Sequence, residues 1–240
     1  VSQSSASWPT GTSTEAPPLP VAGAEVEVRF DYLKEVYGLL LGGVAALVVI
    51  ETVLFVTGIA DSIAALVFDT SWLLILGGFM LISWLANSVA FKARSRGAAL
   101  GGYALLVLAQ ALILSPLLWI ARETAPGAIG QAAGVTLVGF IGLSGIALTS
   151  SKDFSFLGSL LKWLGLGALL LIGSAVIFGF NLGTWFSVGM VVFAGAAVLY
   201  DTQKILKEWP VGTEVQAAMN LFASVALLFW YVLRIFIARD

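Results

Sequence analysis

From Arg29 to the carboxyl terminus the chain alternates long apolar runs with short polar punctuation. Each run approaches the about 20 apolar residues that an α-helix needs to cross a hydrocarbon core. The pattern predicts spans near Val36–Thr57, Trp72–Phe91, Ala98–Ile120, Ile129–Leu148, Phe156–Phe180, Gly183–Leu206 and Val215–Ile237. Gly, Pro, Asp or Ser mark the breaks, at Gly58-Ile59-Ala60-Asp61, Ala125-Pro126-Gly127, Ser150-Ser151-Lys152-Asp153 and Trp209-Pro210-Val211-Gly212. Backbone groups have no water to bond in lipid, which leaves helices or a closed barrel. The runs show no ten-residue alternation of faces, so helices are expected. The last segment either spans or dips in and returns.

Residues Val1 to Val28 differ in kind. They are rich in Ser, Thr, Pro, Ala and Glu and hold no Lys or Arg. Such a stretch buries too little apolar surface to offset its ordering entropy and reads as a mobile tail. It lacks the basic and apolar regions of a secretory signal, so the first span is expected to direct insertion. The organisation expected is therefore a tail over 1–28 and a seven-helix transmembrane domain over 29–240.

Composition strengthens the membrane reading. Of 240 residues, 59% are hydrophobic and only 11% charged, against about a quarter charged in a soluble domain. Mean hydropathy is +0.99. The chain has neither Cys nor His, which removes thiol catalysis, disulfides, histidine switching and the usual zinc, haem or copper ligands. No cofactor is expected. A net charge of −2 with scattered basic residues gives no footprint for nucleic acid. Glycines within the spans (Gly38 and Gly42, Gly77 and Gly78, Gly101 and Gly102, Gly139 and Gly142, Gly165 and Gly167) are expected to be helix-packing faces.

Basic residues set the expected orientation. With seven spans, Arg29, Lys34, Lys92, Arg94, Arg96, Lys152, Lys162, Lys204 and Lys207 share one side, against Arg122 and Arg239 on the other. That places the amino terminus in the cytoplasm.

Ionisable groups inside a membrane are costly and hence candidates for function. Three fall within spans: Glu51, Asp201 and Arg234. Asp201 lies about 8 Å from the cytoplasmic end of the sixth span. There it meets the negative end of the helix dipole and partial desolvation, both of which oppose its charge. It is either a pH- or ion-sensing group or an interfacial carboxylate pointing toward Lys204 and Lys207. Glu51 and Arg234, about 22 Å and 28 Å from the cytoplasmic ends of their spans, are matched in depth. They form either an ion pair tying the last span to the first or two separately snorkelling side chains. Gln110, Asn87 and Asn220 are expected to bond between helices. No serine has a partner base, so no enzyme activity is expected.

Particular strings then carry a resemblance. Ala197-Val198-Leu199-Tyr200-Asp201-Thr202-Gln203 resembles the signature at the end of the sixth helix of the Bax inhibitor family, the transmembrane BAX inhibitor motif proteins. Lys152-Asp153-Phe154-Ser155-Phe156-Leu157 resembles that family's segment before its fifth helix, and Ala217 to Phe236 lies on its final helix without a gap. The resemblance covers Phe30 to Phe236. It implies six helices in two groups of three around a central seventh. It also implies a pH-sensitive calcium leak attributed to two proton-sharing aspartates, suppression of cell death in eukaryotes, and modulation of a membrane protease in bacteria. Asp201 matches the first aspartate, whereas Ser224 stands where the second is expected. Arg94 or Arg96 stands where the family carries a basic residue near its second helix.

The serine changes the chemistry. It cannot supply the like-charge repulsion of a second carboxylate, although its hydroxyl can donate a hydrogen bond to Asp201. Ser224 lies about 13 Å up the last span, near Asp201 in depth. One carboxylate is a poor ligand set for calcium, which takes six to eight oxygens. The expected function is a bacterial-type Bax inhibitor-like protein of the inner membrane. It either leaks calcium, other cations or protons with pH through Asp201, weakened by Ser224, or acts without conduction by binding a membrane protease or other membrane complex.

Overall fold

A computed structural model describes residues 20–239. Eight α-helices account for almost all of them: α1 (Val26–Val56), α2 (Ile59–Asp69), α3 (Trp72–Phe91), α4 (Arg96–Thr124), α5 (Ala128–Thr149), α6 (Phe156–Phe178), α7 (Gly183–Lys207) and α8 (Glu214–Ile237). All but α2 are long and apolar enough to cross a membrane. The protein is an all-α, multi-pass membrane protein. Its outward surface carries large apolar side chains, among them Val138, Trp163, Leu170 and Trp185. In lipid such surface needs no polar cover.

Two groups of three helices flank a central one. The first group is α1, α3 and α4, and the second is α5, α6 and α7. Between them α8 touches α1, α3, α4, α5 and α7, and its buried side chains include Leu221, Phe222, Tyr231 and Leu233. Helix α4 is buried as deeply, over Tyr103 to Ala121. By contrast α6 packs chiefly on α7 and buries only Leu157 and Gly158. The last segment is one continuous helix of 24 residues, about 36 Å long and sufficient to cross rather than return.

Three expectations change. The stretch after Gly58, read as a loop, is the 11-residue helix α2. Gly58 adopts φ 75°, the left-handed conformation that suits glycine, and turns the chain between α1 and α2. Within the stretch assigned to the tail, residues 1–19 lie outside the described residues. Val21, however, is fully buried among Trp209 and Ile205, and Val26 opens α1. The Val21 amide donates to the Trp209 carbonyl at 2.8 Å, and Pro20 pairs with Pro210.

Most of the paired glycines do not face a neighbouring helix. A methyl group on Gly38, Gly42, Gly77, Gly78, Gly101, Gly142 or Gly167 would meet open space. Methyls on Gly139 and Gly165 would meet Leu228 of α8 and Phe193 of α7 at ordinary contact distance, and Gly102 is the tight one: a methyl there would lie 2.7 Å from the Ala86 carbonyl oxygen and 2.8 Å from the Ala90 amide nitrogen. This close approach joins α3 to α4.

Candidate functional site

Four consecutive residues near the carboxyl end of α7 reach four different partners, because successive side chains of a helix point about 100° apart. Tyr200 lies against α6, where a methyl on Gly158 would come within 2.6 Å of its hydroxyl oxygen. Asp201 faces α8, and the Ser224 hydroxyl donates to its Oδ2 at 2.5 Å. Thr202 is fully buried and its hydroxyl lies 3.5 Å from that of Ser144 on α5. Gln203 turns to the α5–α6 loop. Its amide nitrogen donates to the Lys152 carbonyl and its oxygen accepts from the Phe154 amide, both at 2.7 Å. The string thus ties α7 to α5, α6, α8 and one loop.

Of these contacts, Asp201–Ser224 carries the most charge. A hydroxyl donating to a carboxylate is a charge-assisted bond, about twice as strong as a neutral one. Lys204, one turn on, places its ammonium over the Tyr200 ring at 5.6 Å and adds positive potential near Asp201. The preceding carboxylate in the chain, Asp153, stands in the α5–α6 loop. It accepts from the Ser155 amide and hydroxyl at 3.0 and 3.1 Å, which hold it below the usual aspartate range. Among the described residues no group of three or more His, Cys, Asp or Glu side chains is placed to hold a metal ion.

The structure does not bring Glu51 and Arg234 together. Glu51 is 7% exposed, and neither carboxylate oxygen has a hydrogen-bond partner among the described residues. Its polar neighbour is Ser115 on α4, itself fully buried. Arg234 lies on a different side of α8, at the end of a cavity with Trp72 and Trp230. Counted along their helices the two residues match in depth, but they face different neighbours, Ser115 and the cavity. Arg96 is instead the basic residue with a carboxylate partner on the face where α1 begins, pairing with Glu35. Asn87 also departs from expectation, bonding back to the Ser83 carbonyl within α3 at 2.8 Å.

The cavity has a volume of about 690 Å³ and lies between α3, α4, α6, α7 and α8. Ligand pockets run from about 300 to 1,000 Å³. From Arg234 to Asn220 it follows α8 for about 21 Å. Its inner end is polar, with Ser83, Asn87, Gln110 and Asn220, and it includes Ala223, the residue beside Ser224. A polar floor therefore comes close along α8 to the Asp201–Ser224 bond. Sequence reasoning missed this cavity, Ser115 and the Thr202–Ser144 contact. The available signal was a set of isolated polar residues on otherwise apolar spans.

Comparison with known proteins bears on this arrangement. The family model described as "Inhibitor of apoptosis-promoting Bax1" matches residues 29–240. An uncharacterized membrane protein of Vibrio cholerae is 33% identical over 132 residues, covering 51% of this chain and 56% of the relative. An uncharacterized protein of Pseudomonas aeruginosa is 35% identical over 114 residues, covering 45% and 49%. The chain spans about half the length of these curated relatives. With the family model covering all seven long helices and the Tyr200–Gln203 string, the chain belongs to the Bax inhibitor family.

Proposed function

We propose that this protein is a proton leak, sensitive to pH, in which Asp201 is the proton-binding group and its bond to Ser224 is the closed latch. The observation that carries the reading is the 2.5 Å bond from Ser224 of the central helix to Asp201 of α7. While Asp201 is ionised the bond is charge-assisted and holds the two helices together. Protonation leaves a neutral bond of about half the strength, so acidification loosens the latch. The polar inner end of the cavity, which reaches Asn220 and Ala223 beside Ser224, supports a route for protons next to the latch.

Protons rather than calcium fit the donor set. Asp201 brings one carboxylate and Ser224 one hydroxyl, short of the several charges calcium sites use. Nine basic residues against two support a cytoplasmic amino terminus, and the bacterial relatives support an inner-membrane location. The lipid-facing α6, which buries only two residues, supports a second reading: a regulator that binds a membrane protease or other membrane complex through that helix.

Proton flux into liposomes carrying the native chain or Asp201→Asn tests the first reading. The native chain is expected to conduct more at pH 5 than at pH 8, and Asp201→Asn to match empty liposomes. Equal flux in the two proteins would remove Asp201 from the route.

A further inference from the structure

The cavity between α3, α4, α6, α7 and α8 has features that neither the latch nor the helix packing explains. Its end at Arg234 is cationic, and among the described residues no carboxylate pairs with that guanidinium. A charged arginine within a span is costly without a counter-charge. Trp72 and Trp230 stack beside it with ring centroids 6.3 Å apart. Tryptophans are enriched where hydrocarbon meets headgroups.

Beyond Arg234 the walls turn apolar, with Leu76, Phe79, Ile172, Val176 and Leu227, before the polar floor begins at Ser83. From Trp72 to Ser83 is about 16 Å along α3. Half of a hydrocarbon core of about 30 Å is nearly the same length. The wall toward the bilayer is α6, which touches α3 only lightly, so the cavity has a side that faces lipid.

We propose that this cavity holds one acyl chain of an anionic phospholipid drawn from the surrounding leaflet, with the phosphate on Arg234. A guanidinium matches two phosphate oxygens in a planar fork. The apolar section takes the chain for the depth of one leaflet, and the amides of Asn87, Gln110 and Asn220 end it. This proposal does not depend on the protein conducting protons.

The test uses the full chain in detergent and follows thermal unfolding against added dioleoyl-phosphatidylglycerol, dioleoyl-phosphatidylcholine or inorganic phosphate. Phosphatidylglycerol is expected to bind roughly fivefold more tightly than phosphatidylcholine, the effect of one cationic side chain on an anionic lipid. Phosphate alone is expected to give no shift. Arg234→Gln should bring the two lipids level, and Ala168→Phe, which fills the cavity wall, should weaken both. If Ala168→Phe does not fold, Ala168→Leu serves in its place. Three results overturn the proposal: equal affinity for both lipids in the native chain, a shift by phosphate alone, or lipid affinities unchanged in Arg234→Gln and the filled variant.

Discussion

Replacing Gln203 by alanine should free the α5–α6 loop. The Gln203 side chain is 3% exposed and makes both of its loop bonds at 2.7 Å, to Lys152 and Phe154. A net hydrogen bond contributes about 1 kcal/mol, and a buried group left without a partner costs about 1–3 kcal/mol. Losing two together gives roughly 2–4 kcal/mol. At 1.4 kcal/mol per factor of ten, the loop's open population rises roughly 30- to 1,000-fold. Lys152 lies on this loop and is exposed, so trypsin reads the opening directly. When closing outpaces cleavage, the rate follows the open population. Cleavage after Lys152 in detergent should therefore accelerate at least tenfold in Gln203→Ala. Gln203→Glu keeps the acceptor for Phe154 but loses the donor and sets a carboxylate against the Lys152 carbonyl, so it should also accelerate. A rate within twofold of native in both variants would refute the account of how this string holds the loop.

Gly102→Ala should destabilise the chain by about 1–3 kcal/mol, because its methyl meets α3 backbone rather than a movable side chain. Thermal unfolding checks this against Gly101→Ala, whose methyl meets open space and should cause no loss. Val21→Asp buries a charge beside Trp209 and should release the segment before α1, seen as lost amide protection over residues 21–24, with Val21→Ala intermediate. The Asp153 carboxyl should titrate below the ordinary aspartate value of about 3.9 by carbon-13 NMR. Its folded value is depressed, so its contribution to loop stability is complete above the ordinary value and is lost only as pH falls through the lower one. The loop is then indifferent to pH between 5 and 8, and any response there belongs elsewhere.

The seven long helices were legible because an apolar run of span length has few alternatives in lipid. Helix α2 was not, since its 11 residues fall short of a span and its apolar side chains follow a break marked by Gly58. Depth was legible as well: counting residues brought Asp201 and Ser224 to similar levels, and the structure shows them bonded. Direction about the helix axis was not legible. That is why Glu51 and Arg234, matched in depth, point to Ser115 and to the cavity respectively. The same blindness misread the glycines, where Gly101 and Gly102 are adjacent in sequence and only Gly102 meets another helix. Gln203 could not be placed from sequence, because its partners are backbone groups some 50 positions earlier.

The most direct test of the latch is proton flux through Ser224→Ala in liposomes between pH 5 and 8. Alanine removes the donor while leaving Asp201 in place, so the closed state loses its charge-assisted bond. The latch account predicts that flux at pH 8 rises toward the level the native chain reaches at pH 5, and that its dependence on pH flattens. Flux in Ser224→Ala that follows the native profile across the whole range would contradict it.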